Sequence, residues 1–357
     1  MRIAWFGSSL VSSYWNGAAT YYRGIVRALD QLGHEVTFFE PDAFERQEHR
    51  DMDDPSWARV VVYSPEEWRQ ALEAARGADV VVKASGVGVC DAELEAGVLD
   101  LEVPTTVFWD VDAPATLARL DAVDEDPFRL LVPRYDLVLT YGGGDPVVER
   151  YRAFGARDCV PVYNALDPET HHPAAPDERF RCDLAFLGNR LPDREARVDE
   201  FFLRSATLAP DRSFLLGGSG WDDKRLPPSV RLIGHVGTSD HNALNSTPLA
   251  VLNVTRQDMA DNGWSPPTRV FEAAGAGACL ITDAWRGIEE FLHPDEEVLV
   301  AENAEDVARL LQDLSPERAR QIGARARARV LRDHTYAQRA RQVEKALTAA
   351  RTEAVTR

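Results

Sequence analysis

Ser265-Pro-Pro-Thr-Arg-Val-Phe-Glu-Ala-Ala-Gly-Ala-Gly-Ala-Cys-Leu-Ile-Thr-Asp283 reads as a helix start, a short helix, a glycine stop and a strand. Ser265 is placed as an N-cap, with Pro266 at the first helical position, where its missing N–H costs nothing. Val270, Phe271 and Ala274 share a face for a core, and Gly275 and Gly277 end the helix. Ala278 to Thr282 then reads as a buried strand. A helix start offers free N–H groups and a positive dipole end to a phosphate. Thr268 and Arg269 add a hydroxyl and a guanidinium. Glu272, one turn deeper, is placed to accept hydrogen bonds from the vicinal hydroxyls of a ribose. The stretch therefore predicts a nucleotide-diphosphate site. The competing reading is a surface pair of Arg269 and Glu272 at i, i+3.

The flanking chain repeats one pattern. Ile3–Phe6 reads as a strand, Tyr21, Ile25, Leu29 and Leu32 recur at helical spacing up to Gly33, and Glu35–Glu40 is a second strand. That βαβ unit implies a parallel sheet. Further strands are expected at Asp79–Lys83, Thr105–Trp109, Leu137–Thr140 and Val160–Tyr163. Ser64-Pro-Glu-Glu67 reads as a capping box. Residues 164–180 hold Pro168, Pro173 and Pro176 without periodicity, as a linker does. A second series follows, with strands at Cys182–Leu187, Ser213–Leu216, Val230–Ile233, Leu249–Val254 and Glu297–Ala301. Asn303 and Ser315 are expected to cap two late helices. The expected architecture is α/β, with two Rossmann-like doubly wound domains facing a central cleft. The expected spans are 1–168, 178–334 and a C-terminal helix over 335–357.

The 357 residues exceed what one compact core usually covers. A formal net charge of -18 argues against a broad nucleic-acid surface or an anionic membrane as partner. Cys90, Cys159, Cys182 and Cys279 lack metal-site spacing, and are expected as reduced thiols of a cytoplasmic protein. No apolar run reaches membrane-spanning length.

Several motifs, in order, resemble the GT-B glycosyltransferases, and among them the spore-maturation CgeB-like branch of the glycosyl transferase family 1 type. Thr268-Arg-x-Phe-Glu272 with Gly275 and Gly277 is similar to that family's donor motif. Asp183-Leu-Ala-Phe-Leu-Gly188, followed by Arg194, resembles the opening strand and loop of its C-terminal domain. Phe108-Trp-x-x-Asp112-x-Pro114, Thr140-x-Gly-Gly-Gly, Gly155-Ala156, Asn164-Ala-x-Asp-Pro168 with Pro173, and His334-Thr-Tyr336 with Arg339 resemble its other recurrent segments. The resemblance implies a nucleotide-sugar donor held by the C-terminal domain, an acceptor held by the N-terminal domain, and a last helix packing back on the N-terminal domain. Many retaining members carry a second Glu some seven residues before the ribose-binding one. Here that region is Asp261-Asn-Gly-Trp264.

Glycosyl transfer passes through an oxocarbenium-like state as a nucleoside diphosphate leaves, so charge growing on the phosphates must be neutralised. Arg269, Thr268 and the helix N–H groups are the main candidates, with Arg190, Arg194 and Lys224 as helpers on loops after strands. Gly188 and Gly218 would let backbone approach the nucleotide, and Asn262 would reach the sugar. Gly7, Ser8, Asn16 and Gly17 follow the first strand on the acceptor side. For an inverting course Asp112 is the first candidate base and Asp110 the second, against a plain N-cap role for Asp112. Asp110-Val-Asp112 is also a D-x-D, the metal-binding pair of GT-A enzymes. Because the second half carries its own phosphate-binding helix, a metal-independent enzyme without a cofactor is expected, the nucleotide sugar serving as co-substrate. The competing classes are a nicotinamide dehydrogenase, for which no G-x-G-x-x-G follows the first strand, a non-catalytic binding or coat-associated protein, and a nucleotide-sugar epimerase.

Overall fold

The computed structural model describes residues 1–14 and 16–355, with side chains to Thr352. It divides into two units, Met1–Tyr163 with Tyr336–Arg357, and Asn164–Thr335.

The first unit is built on a seven-stranded sheet in the order β3-β2-β1-β4-β5-β6-β7. Its strands are β1 (Arg2–Phe6), β2 (Glu35–Pro41), β3 (Arg59–Tyr63), β4 (Val80–Ala84), β5 (Thr106–Asp110), β6 (Leu137–Thr140) and β7 (Cys159–Pro161). All neighbours run parallel. β4 and β5 are buried along their whole length, as strands covered on both faces must be. Trp5 and Trp109 pack with ring centroids 4.5 Å apart, and Phe6 stacks on Phe39 at 4.7 Å. The Tyr336–Val355 helix returns to this unit and lies along the Ala19–Gln31 helix. His34 Nε2 meets Glu344 Oε1 at 3.1 Å, and Gln342 Nε2 donates to Pro161 O at 2.9 Å.

The second unit repeats the plan with six parallel strands in the order β10-β9-β8-β11-β12-β13. They are β8 (Leu184–Leu187), β9 (Phe214–Gly217), β10 (Val230–Gly234), β11 (Ala250–Asn253), β12 (Leu280–Asp283) and β13 (Leu299–Ala301). Strand order reverses between β1 and β4 in one sheet and between β8 and β11 in the other. Open α/β sheets bind ligands outside the carboxyl ends of strands at such points. The expected α/β architecture of two Rossmann-like units is present.

Local differences from the sequence reading have physical causes. Ser265 caps no helix; its hydroxyl turns back to Gly263 O at 3.0 Å. The helix opens at Thr268 behind an extended Pro267 (ψ 153°), because a residue before proline is driven out of the helical region and two prolines follow in succession. Ser64 makes no capping bond either. The edge strand β3 was not expected; it pairs along its whole length with β2. The division between units falls ahead of Asn164, because Leu166 N donates to His334 O at 2.8 Å within the second unit. Asn303 and Ser315 do cap their helices, accepting from Asp306 N and Arg318 N.

The Pro316–Asp333 helix packs on the Thr268–Gly275 helix through Gly323, where a Cβ would stand 2.0 Å from Gly277 O. Backbone cannot swing away as a side-chain tip can. Gly323→Ala is expected to destabilise the second unit by about 1–3 kcal/mol, read as a lower midpoint of urea unfolding; an unchanged midpoint would contradict this packing.

Candidate functional site

The Thr268–Gly275 helix begins with a residue that has no capping side chain, Pro267. The N–H groups of Thr268 and Arg269 therefore open towards an outside acceptor. Asn164 Nδ2 holds the entering chain by donating to Pro266 O at 3.2 Å. Val270, Phe271, Ala273 and Ala274 are buried, which leaves Thr268, Arg269 and Glu272 half-buried on the other face.

Arg269 does not form an ion pair with Glu272 within 4 Å among the described residues. Its guanidinium lies over the ring of Phe186 on β8, 5.8 Å from the centroid. Arg194 lies over the same ring at 5.7 Å. Its Nη2 donates to Asn189 O at 2.6 Å, while its buried Nε has no partner. Burial, and then the like charge of Arg269, pull the Arg194 guanidinium down to about 10. Burial also lowers Arg269, with Glu272 opposing. Two guanidiniums thus lie against one aromatic ring, neither with a carboxylate within 4 Å among the described residues. Withdrawing such charges from water is costly unless an anion joins them.

The loops after β8 and β9 close under this pair. Gly218 has φ +115°, and a Cβ there would stand 2.2 Å from Gly188 O. Trp221, 1% exposed, donates from Nε1 to the same Gly188 oxygen at 2.7 Å. Arg194 lies across Gly188. Arg190 and Lys224, expected as phosphate helpers, are instead engaged with carboxylates. Arg190 pairs with Glu195 and Asp223, and Lys224 with Glu195 and Asp199, at 2.7–2.8 Å. They brace the loops with their charges already neutralised. Asn262 donates to Asp258 O at 2.7 Å, so its amide caps its own short helix.

Glu272 faces His171, whose Nε2 is 3.8 Å from Oε1. His241 is within electrostatic reach of Glu272, Arg269 and His171. In sequence His171 falls in the linker read over 164–180, and His241 belongs to no motif of that reading. Only the fold brings them together, although Asn242 beside His241 carries the polar pattern that ties the linker down.

In the first unit the sequence candidates form closed networks. Asp110 is wholly buried and accepts from Ser85 Oγ (2.8 Å), Asp112 N (3.0 Å), Thr116 Oγ1 (3.1 Å) and the Tyr151 hydroxyl. Burial pushes its carboxyl up, and these donors pull against that. This geometry spends its lone pairs on structure and argues against Asp110, the second candidate, as the base. Asp112 is exposed at the start of the Ala113–Ala122 helix and makes no side-chain capping bond. Ser8 donates to Asn16 Oδ1 at 2.9 Å, and Asn16 Nδ2 donates to Ser9 O and Ser12 O. Both are buried, Gly7 lies against the Phe38 ring, and Gly17 is exposed. Asn16 thus shapes the loop after β1 from inside.

Residues 194–345 match a family model described as glycosyl transferase-like. In overall fold the chain is similar to HepE of Anabaena, solved with UDP and glucose, at 13% identity and TM-score 0.70, covering 98% of this chain and 100% of HepE. It is also similar to sucrose-phosphate synthase of Thermosynechococcus elongatus at 14% identity and TM-score 0.67, covering 97% and 98% of the two chains. A glycosyltransferase of Rickettsia africae aligns at 12% identity and TM-score 0.65, covering 98% of each. At these identities the likeness is one of fold, that of the GT-B class. No curated protein matches the chain in sequence. Among the described residues no helix is long and apolar enough to cross a membrane.

Asp110→Asn replaces an acceptor with an amide that faces donors. It is expected to cost about 1–3 kcal/mol of stability, measured by chemical denaturation. Unchanged stability with lost turnover would restore a catalytic role for Asp110.

Proposed function

We propose that this protein is a glycosyltransferase that moves a sugar from a nucleotide-diphospho-sugar donor to an acceptor molecule. The observation that carries this reading is the pair Arg194 and Arg269 over Phe186, beside the uncapped start of the Thr268–Gly275 helix. That group fits a diphosphate, with the Thr268 hydroxyl adding a donor. Glu272, on the same face one turn on, fits the two hydroxyls of a ribose. The family-model match over 194–345 covers Arg194, Thr268, Arg269 and Glu272 and supports the reading. The order of motifs along the whole chain favours the CgeB-like branch, and the UDP and UDP-glucose complexes of HepE suggest a uridine nucleotide as the first to try.

Chemically, the two guanidiniums would hold the leaving diphosphate as negative charge gathers on it. Side chains and helix N–H groups would do that work without a metal ion, in an enzyme we place in the cytoplasm. For an inverting course, Asp112 is the carboxylate left to act as general base.

Calorimetric titration with UDP tests the site. Glu272→Ala is expected to weaken binding by about 1–3 kcal/mol through two lost hydroxyl bonds, and Arg269→Ala by a similar amount through a charge-assisted bond. Unaltered affinity in both folded variants would refute the assignment. Hydrolysis of UDP-sugars by the unaltered protein should survive a chelator; loss restored by manganese would overturn metal independence.

A further inference from the structure

The linker meets the Glu272 carboxylate, and a second helix brings His241 within electrostatic reach of it. His171 comes from the linker, with Nε2 3.8 Å from Oε1 and the two side chains 11% and 21% exposed. His241 opens the His241–Ser246 helix and feels Glu272, Arg269 and His171. The linker cannot draw back. His172 N donates to Asn242 Oδ1 at 3.3 Å, Asn242 Nδ2 to Thr170 O at 2.9 Å, and Ala174 N to Ser246 Oγ at 3.1 Å. Ser246 Oγ in turn donates to Ala276 O at 3.2 Å, just past the Glu272 helix.

The atoms that titrate can be assigned. Val236 O has only lone pairs, and His241 Nε2 lies 3.3 Å from it. Nε2 therefore carries the hydrogen, and Nδ1 is the atom that takes up a proton. Burial lowers the His241 pKa against the pull of Glu272, so the imidazole is neutral at pH 7. Among the described residues Arg269 is the other charged group within electrostatic reach of Glu272, and it makes no ion pair with it within 4 Å. Arg269 on its own helix turns to Phe186. Arg327 of the Pro316–Asp333 helix approaches Gly277 instead. The strands beneath offer Asn253 and Thr282, and Asp283 is paired with Arg197.

We infer that His171 and His241 are positioning residues for Glu272 that make nucleotide binding pH-dependent, an inference that rests on Glu272 being the ribose carboxylate. With neutral imidazoles, the carboxylate's lone pairs are open to ribose hydroxyls. A protonated His171 presents a charged donor to Oε1, 3.8 Å away, and a protonated His241 adds positive charge nearby, so a ribose must compete with them. Affinity therefore falls as pH drops through the histidine range. A ligand without ribose does not meet this competition.

The test measures UDP and inorganic pyrophosphate binding at about pH 7.5 and about pH 5.5, with histidine titrations followed by NMR. UDP affinity is expected to drop about five- to tenfold at the lower pH, the scale of one or two hydrogen bonds. In the His171→Gln/His241→Asn double variant the drop should shrink to under about twofold, which also corrects for titration of the nucleotide's own terminal phosphate. Pyrophosphate should show the same pH change in both proteins. A drop in UDP affinity that persists in the double variant would overturn the inference while leaving the ribose assignment intact. In Glu272→Gln the His241 midpoint should fall, since a carboxylate favours the charged ring; an unmoved midpoint would also overturn it. If UDP binds at neither pH, the ribose assignment itself is lost, and with it the inference.

Discussion

The second unit is organised around two guanidiniums against the Phe186 ring, neither ion-paired with a carboxylate among the described residues. Arg194 reaches the ring from the Pro192–Val198 helix and Arg269 from the Thr268–Gly275 helix. The ring itself is fixed at the end of β8, 1% exposed. For both cations to stand there, Pro266 and Pro267 must delay the helix start, and Gly188 and Gly218 must bring two loops into backbone contact. A folded chain tolerates such an arrangement poorly on stability grounds alone. On the proposed reading, its value lies in the diphosphate it would receive.

Other cations near these strand ends show the contrast. Arg190, Lys224 and Arg197 are each matched to carboxylates, Arg197 to the wholly buried Asp283. They hold loops in place. The first unit, with the same strand logic, closes its strand ends in another way. Asp110 is saturated by four donors, and buried Glu40 accepts from Ser9 Oγ, Leu10 N and Gln47 Nε2. One topology thus carries an unneutralised basic site in one unit and a self-satisfied polar framework in the other.

Much of the fold was legible because parallel strands buried on both faces write continuous apolar runs, and because Asn303, Ser315 and the glycine stops act locally. Ser265 misled because capping geometry yields to the backbone limits that Pro266 and Pro267 impose on each other. β3 was missed because its place is decided by pairing with β2, across an irregular stretch. At the site, Thr268, Arg269 and Glu272 were legible from helical spacing, since one helix face presents them. The partner of Arg269 was not, because Phe186 lies far away in sequence and reads as a strand core residue. His171 and His241 were opaque for the same reason: linker and helix meet through Asn242 and Ser246, far from the linker in sequence. Asp110 and Asp112 look alike in sequence, and burial alone separates them.

The most direct measurement is a crystal structure of the protein with UDP. The account predicts the two phosphoryl groups against Arg194, Arg269 and the Thr268 end of the helix, with the ribose hydroxyls on Glu272. Well-defined nucleotide density elsewhere, with those four side chains unengaged, would contradict it.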